Sequence, residues 1–177
     1  MEHCIVEYAG QTNNANIYCD SAKPTLQYNT IRNSSHSGIY LNGTGCNGVS
    51  IKCNNLKDNY YGIYVSGGAL PTVLNNNFLT SRNYGVYNAG AAIVAENNWW
   101  GDERGPGYNG DAKYGSVDFT PFLTEPSTCI NTPPTNTPPF TPGNPTPANN
   151  AVRIPVSVDG TPVNVNLTWS GGDPNPW

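Results

Sequence analysis

The residues able to do chemistry in this chain are few and scattered. Only 11% of its 177 residues are charged, against an ordinary share of about 25%. Up to Asn98 there are five acids: Glu2, Glu7, Asp20, Asp58 and Glu96. Glycoside hydrolysis needs two carboxylates about 5 to 9.5 Å apart. Glu7 and Asp58 are the nearest to such a pair. Each falls two residues after the apolar anchor of a repeat, two units apart, with Asn33 between them. At the spacing of stacked strands that is about 10 Å, just beyond the useful range. Arg32 and Lys57 stand one unit apart beside Asp58. They form the densest grouping able to move a proton, and a solvated surface face is the favoured reading of it. Asp102, Glu103, Asp111 and Asp118 lie close together later in the chain. Oxygen donors of that kind suit a structural calcium, although acidic loops are common without one. His3 and His36 have no Ser or Cys nucleophile motif beside them, and a single histidine does not make a catalytic constellation.

Tyrosine is the other recurring side chain with something to offer a ligand. Tyr18, Tyr40, Tyr64 and Tyr87 each follow an apolar residue: Ile17, Ile39, Ile63 and Val86. By strand alternation the tyrosines point outward when those residues point inward. A stack of tyrosines stabilises a sheet face. It also offers sugar rings an apolar surface with hydroxyl edges, which makes Tyr40, Tyr64 and Tyr87 the candidate carbohydrate contacts.

What must position these side chains is a repeat. An Asn-rich turn followed by an apolar residue occurs four times: Asn29-Thr30-Ile31, Asn54-Asn55-Leu56, Asn76-Asn77-Phe78 and Asn97-Asn98-Trp99. The apolar residues are 25, 22 and 21 positions apart. Five residues before each stands another: Leu26, Ile51, Val73 and Val94. Between these turns come Asn16-Ile17-Tyr18, Gly38-Ile39-Tyr40, Gly62-Ile63-Tyr64 and Gly85-Val86-Tyr87. The two patterns alternate in fixed phase, so the unit is about 23 residues with three short apolar stretches. None is long enough for a helix. Their β-branched and aromatic content favours strand.

One coil per unit, stacked on the next, accounts for this pattern. Equivalent residues then form buried columns, and stacking supplies a core that no single coil can make. The three columns expected are Ile17/Ile39/Ile63/Val86, Leu26/Ile51/Val73/Val94 and Ile31/Leu56/Phe78/Trp99, with Ile5 above Ile31. Asn29, Asn54, Asn76 and Asn97 would share one turn. Asparagine tolerates the left-handed conformation there, and its amide can bond along a stack. Cys19 and Cys53 fall at inward positions and are expected as buried thiols rather than disulfide partners. Asn33, Asn42 and Asn166 head formal glycosylation sequons, a short and common motif.

These motifs resemble the right-handed parallel β-helix repeats of pectate-lyase-like secreted bacterial proteins. The resemblance covers residues 1 to about 125 and implies an all-β solenoid of three-strand coils. Asn97-Asn98-Trp99-Trp100-Gly101, Gly105-Pro106 and Val117-Asp118-Phe119-Thr120-Pro121-Phe122-Leu123 look like the closing element of such proteins. Trp99, Trp100, Phe119 and Phe122 would cover the edge that an open sheet otherwise exposes. Lyases of this family use calcium held by clustered acids together with an Arg or Lys base. Arg32, Lys57 and Asp58 are the nearest counterpart, without the acid cluster. Native coils are expected upstream of Met1, along with any export signal, since Met1-Glu2-His3 has no apolar h-region. An exposed N-terminal coil would favour self-association.

The final third is different. It holds most of the 16 prolines. Residues 126–150 read as a Thr/Pro linker. Residues 151–177 alternate again and resemble the start of a fibronectin-type-III-like domain, too short to complete a sandwich. Net charge is −4 with no basic stripe, which argues against nucleic acid. No apolar run reaches the ~18 residues of a membrane span. The leading functional expectation is a non-catalytic, secreted or cell-surface module, a repetitive spacer or carbohydrate-contacting adhesin with no cofactor beyond a structural calcium. The alternative is part of a polysaccharide lyase or glycoside hydrolase whose active site lies in upstream coils.

Overall fold

A computed structural model of the chain describes residues 1–9, 15–131, 143–146 and 168–170. Short strands follow one another in threes. The first coil holds β1 (Ile5–Glu7), β2 (Ala15–Asp20) and β3 (Thr25–Gln27). The second holds β4 (Thr30–Arg32), β5 (Ser37–Asn42) and β6 (Ser50–Lys52). Then come β7 (Asn55–Lys57), β8 (Tyr61–Ser66) and β9 (Thr72–Leu74), and β10 (Asn77–Leu79), β11 (Tyr84–Asn88) and β12 (Ile93–Val94). A partial coil closes the series with β13 (Lys113–Tyr114) and β14 (Val117–Asp118).

Corresponding strands pair in parallel and build three sheets: β1-β4-β7-β10, β2-β5-β8-β11-β13 and β3-β6-β9-β12-β14. The register is that of stacked columns. Ile17 pairs with Ile39, Ile39 with Ile63 and Ile63 with Val86. Leu26, Ile51 and Val73 align, as do Ile31, Leu56 and Phe78. Their side chains meet in one core along the solenoid axis. The Gly-Ile-Tyr pattern has a steric cause. A Cβ on Gly38 would lie 2.8 Å from the Gly62 carbonyl oxygen, and one on Gly62 would lie 2.5 Å from that of Gly85.

Three turns per coil bend the chain between sheets, and two of them, before and after the β1-β4-β7-β10 sheet, carry columns of left-handed residues other than glycine. The first contains His3, Tyr28, Cys53, Asn75 and Asn97; the second contains Tyr8, Asn33, Asp58 and Thr80. Directly after the first column lies a ladder of buried asparagines. Asn54 Oδ1 accepts from both the backbone N–H and the side-chain amide of Asn29. Asn76 does the same for Asn54, and Asn98 for Asn76. The expected amide ladder is therefore present through Asn29, Asn54 and Asn76.

Its last rung is Asn98, not Asn97, and this corrects the register of the fourth coil. Trp99 bridges to Asn77, and Trp100 is fully buried, stacked on Phe78 at 4.7 Å. Val94 pairs with Thr72 and is 41% exposed, while Ala95 is buried. A shift of one residue reverses every side chain of a strand. The doubled Asn97-Asn98 and Trp99-Trp100 fit either register by sequence, and burying Trp100 on Phe78 selects the second. The first coil needs the same correction. Val6, not Ile5, aligns with Ile31, and Ile5 is 65% exposed.

Phe119 and Phe122 pack against the core at the closing end. The compact unit runs from Met1 to Pro134, so it includes residues 126–131, which composition assigns to the linker. Ser127 exchanges two hydrogen bonds with the Asn77 side chain. Cys129 forms a disulfide with Cys53. This overturns the expectation that Cys53 is a free thiol. At a left-handed turn position its side chain is released from the inward alternation and reaches the segment lying outside. Cys19 is free and buried as expected, and burial pushes its thiol up to about 11.

The second unit spans Thr135–Trp177. Within it β15 (Gly143–Thr146) and β16 (Thr168–Ser170) pair antiparallel. Residues 151–167, which carry most of the fibronectin-like alternation, lie outside the described residues, as do 132–142 of the expected linker.

Candidate functional site

The polar groups of the β1-β4-β7-β10 sheet are positioned by its register. Glu7 aligns with Arg32, and Arg32 with Lys57. Asp58 falls one residue later, in the left-handed column with Tyr8, Asn33 and Thr80. Glu7 and Asp58 therefore occupy different columns, contrary to the expected shared position. The error is the same one-residue slip at Ile5 and Val6. Glu7 accepts a hydrogen bond from Arg32 Nε at 2.5 Å. That bond and the carboxylate's charge push the Arg32 guanidinium above its usual value, the wrong direction for a proton-abstracting base. Lys57 Nζ lies 3.8 Å from Asp58 Oδ2, both well exposed. Asp58 also accepts from the Thr80 hydroxyl. The expected grouping of Arg32, Lys57 and Asp58 is thus on one face, where these contacts make it a surface ion-pair row.

The late acids have separate partners. Asp102 takes two bonds from the Arg104 guanidinium, which hold its carboxyl well below the usual range. Asp118 is exposed and faces the Thr120 N–H at 3.4 Å. Asp111 is buried, with Oδ1 accepting from the Ser81 N–H. Among the described residues no group of three or more His, Cys, Asp or Glu side chains is placed to hold a metal ion.

The tyrosines make the most extensive side-chain array. They lie on the β2-β5-β8-β11-β13 sheet, whose inward positions are the Ile/Val column. Ring centroids are 5.1 Å apart for Tyr18–Tyr40, 4.8 Å for Tyr40–Tyr64, 4.9 Å for Tyr64–Tyr87 and 4.5 Å for Tyr87–Tyr114. The last two pairs are stacked within 11° and 7° of parallel, while Tyr40 meets Tyr64 edge-on at 79°. Stacked neighbours occupy each other's faces, so phenol edges and hydroxyls are what that part of the row presents. Burial, followed by the charge of neighbouring phenols, raises the Tyr64 hydroxyl above its usual value.

Sequence reasoning missed part of this array. Tyr61 and Tyr84 form a second row beside it, 5.4 Å from Tyr64 and 5.7 Å from Tyr87. The repeated Tyr-Gly-Ile/Val-Tyr motif carried that signal. Tyr114 comes 27 residues after Tyr87, outside the period, and only its pairing reveals it. His36 packs 5.2 Å from Tyr61 and 5.9 Å from Tyr64, a contact between turn and sheet with no periodic trace.

Three parallel sheets of stacked coils define a β-solenoid repeat protein. Residues 1–100 match the family described as "Right handed beta helix region", and the chain belongs to that family. No curated protein and no solved structure matches it. Among the described residues no helix is long and apolar enough to cross a membrane.

Proposed function

We propose that this chain is a non-catalytic, extracellular β-helix module that contacts glycans with its tyrosine sheet. The carrying observation is the continuous row from Tyr18 to Tyr114, half-buried in its middle and 41% and 48% exposed at its two ends. Phenol edges and hydroxyls suit the mixed polar and apolar surface of a sugar. A rigid array also costs little ordering entropy on binding. The Arg32–Glu7 pairing argues against a lyase base on the Arg32–Lys57 row. The Cys53–Cys129 disulfide fits an oxidising, extracellular setting.

A glycan array probed with the whole chain is the test. Binding that Tyr64→Ala and Tyr87→Ala both weaken supports the reading. If Tyr64→Ala lowers stability while the parent binds no glycan, the row is a stabilising ladder and the module is a spacer. If the chain cleaves a uronate polymer and Lys57→Ala abolishes cleavage, the lyase reading replaces both.

A further inference from the structure

The second turn carries a polar ladder of its own, and it ends in an acid. Asn59 Oδ1 accepts from the Ser34 N–H at 3.0 Å, and Asn59 Nδ2 donates to the Ile31 carbonyl at 2.9 Å. Two coils on, Asp111 stands in the same relation to Ser81. Its Oδ1 accepts from the Ser81 N–H at 2.8 Å. Its other oxygen, Oδ2, is buried and has no hydrogen-bond partner. The repeat sets Phe78 three residues before Ser81, as Ile31 precedes Ser34, so the Phe78 carbonyl corresponds to the acceptor that Asn59 uses. A carboxylate has no hydrogen to offer such an acceptor, whereas a carboxylic acid has one.

We propose that Asp111 is the protonated, hydrogen-bond-donating end of the second ladder, and that its ionisation loosens residues 101–114 from the last coil. Asp111 anchors that segment at several points. Its N–H donates to the Trp100 carbonyl, its carbonyl accepts from the Gly107 N–H, and the adjacent Ala112 carbonyl accepts from the Gly85 N–H.

The surroundings supply no compensating cation. Asp58, which accepts from Thr80, adds negative charge. Arg82, next to Ser81, donates to the Ser34 carbonyl. Lys113 lies over the Phe119 ring, and Arg104 is engaged by Asp102. Burial, more than Asp58, pushes the Asp111 carboxyl up to about 6, while the Ser81 groups pull it back. An acid with a raised folded-state value binds more protons folded than unfolded, so its contribution favours folding at low pH. That contribution falls as pH rises between the unfolded value near 4 and about 6. The offset corresponds to roughly a hundredfold in the folding equilibrium.

Urea unfolding of the whole chain from pH 4 to 8, for the parent, Asp111→Asn and Asp111→Ala, is the test. Asp111→Asn supplies the donor at every pH, so it should remove the loss of stability that the parent shows as pH rises from about 4 to about 6. Asp111→Ala should be weaker than Asp111→Asn throughout. Every other ionisable group is common to all three proteins and cancels in the comparison. Parallel profiles for the parent and Asp111→Asn would overturn the proposal. If the variants do not fold, a carboxyl-carbon NMR titration of the parent decides: a midpoint near 6 supports it, and one near 4 overturns it.

Discussion

The turns on either side of the β1-β4-β7-β10 sheet solve the same problem with different side chains. At the first turn, Asn29, Asn54, Asn76 and Asn98 repeat one solution. Asn54, for example, donates through Nδ2 to the Leu26 and Lys52 carbonyls and to Asn76 Oδ1. At the second turn, Ser34, Asn59, Ser81 and Asp111 occupy the corresponding places, and each makes fewer bonds. An amide both donates and accepts, so identical amides can chain indefinitely. A hydroxyl has a single hydrogen to give, as Ser34 gives its own to the Ala9 carbonyl of the preceding coil, and a carboxylate has none. The first turn is therefore a structural spine, whereas the second tolerates variation and ends the stack.

This contrast can be broken by substitution. Asn54→Ala should cost the most, about 4 kcal/mol, because several buried partners are left unsatisfied at ~1–3 kcal/mol each. Urea unfolding gives the value, and a loss under about 1 kcal/mol would refute the spine. Reducing Cys53–Cys129, which staples the first turn across 76 residues, should cost about 3 kcal/mol. The comparison is unfolding with and without reductant. Asn59→Ala should cost about 2 kcal/mol, since only the Ser34 N–H and the Ile31 carbonyl lose a partner; a loss equal to that of Asn54→Ala would erase the distinction. Thr80→Asn should change little, within about 1 kcal/mol and toward stability. A β-branched residue is strained at its φ of +62° and asparagine is not, although the bond to Asp58 is given up. A rise in melting temperature relative to the parent is the sign to look for.

The period, the three-sheet coil and the inner columns were legible because the same residue types recur where the same environment recurs. Legibility failed where neighbours were alike. Ile5-Val6 and Trp99-Trp100 each offer two apolar residues in succession, and the pleat admits one. That choice is made by the coil stacked alongside, and only the fold supplies it. It failed again where contacts join distant segments once. The Cys53–Cys129 bridge and the docking of Tyr114 have no periodic counterpart. Asp111 resembled any loop acid, since nothing in Gly110-Asp111-Ala112 announces burial. The tyrosine row was visible at Tyr40, Tyr64 and Tyr87, but ring orientation follows from packing, and orientation decides whether faces or edges meet a ligand.

The parallel rings of Tyr64, Tyr87 and Tyr114 also have an optical consequence. Phenols held at 4.9 and 4.5 Å with nearly parallel rings do not absorb independently. Their transition dipoles couple along the solenoid axis, and excitation passes from ring to ring. The near-ultraviolet circular dichroism of this chain should therefore report the pitch between coils, since a small change in spacing alters the coupling before any strand melts. The row is a strain gauge built into the sheet, readable without a label.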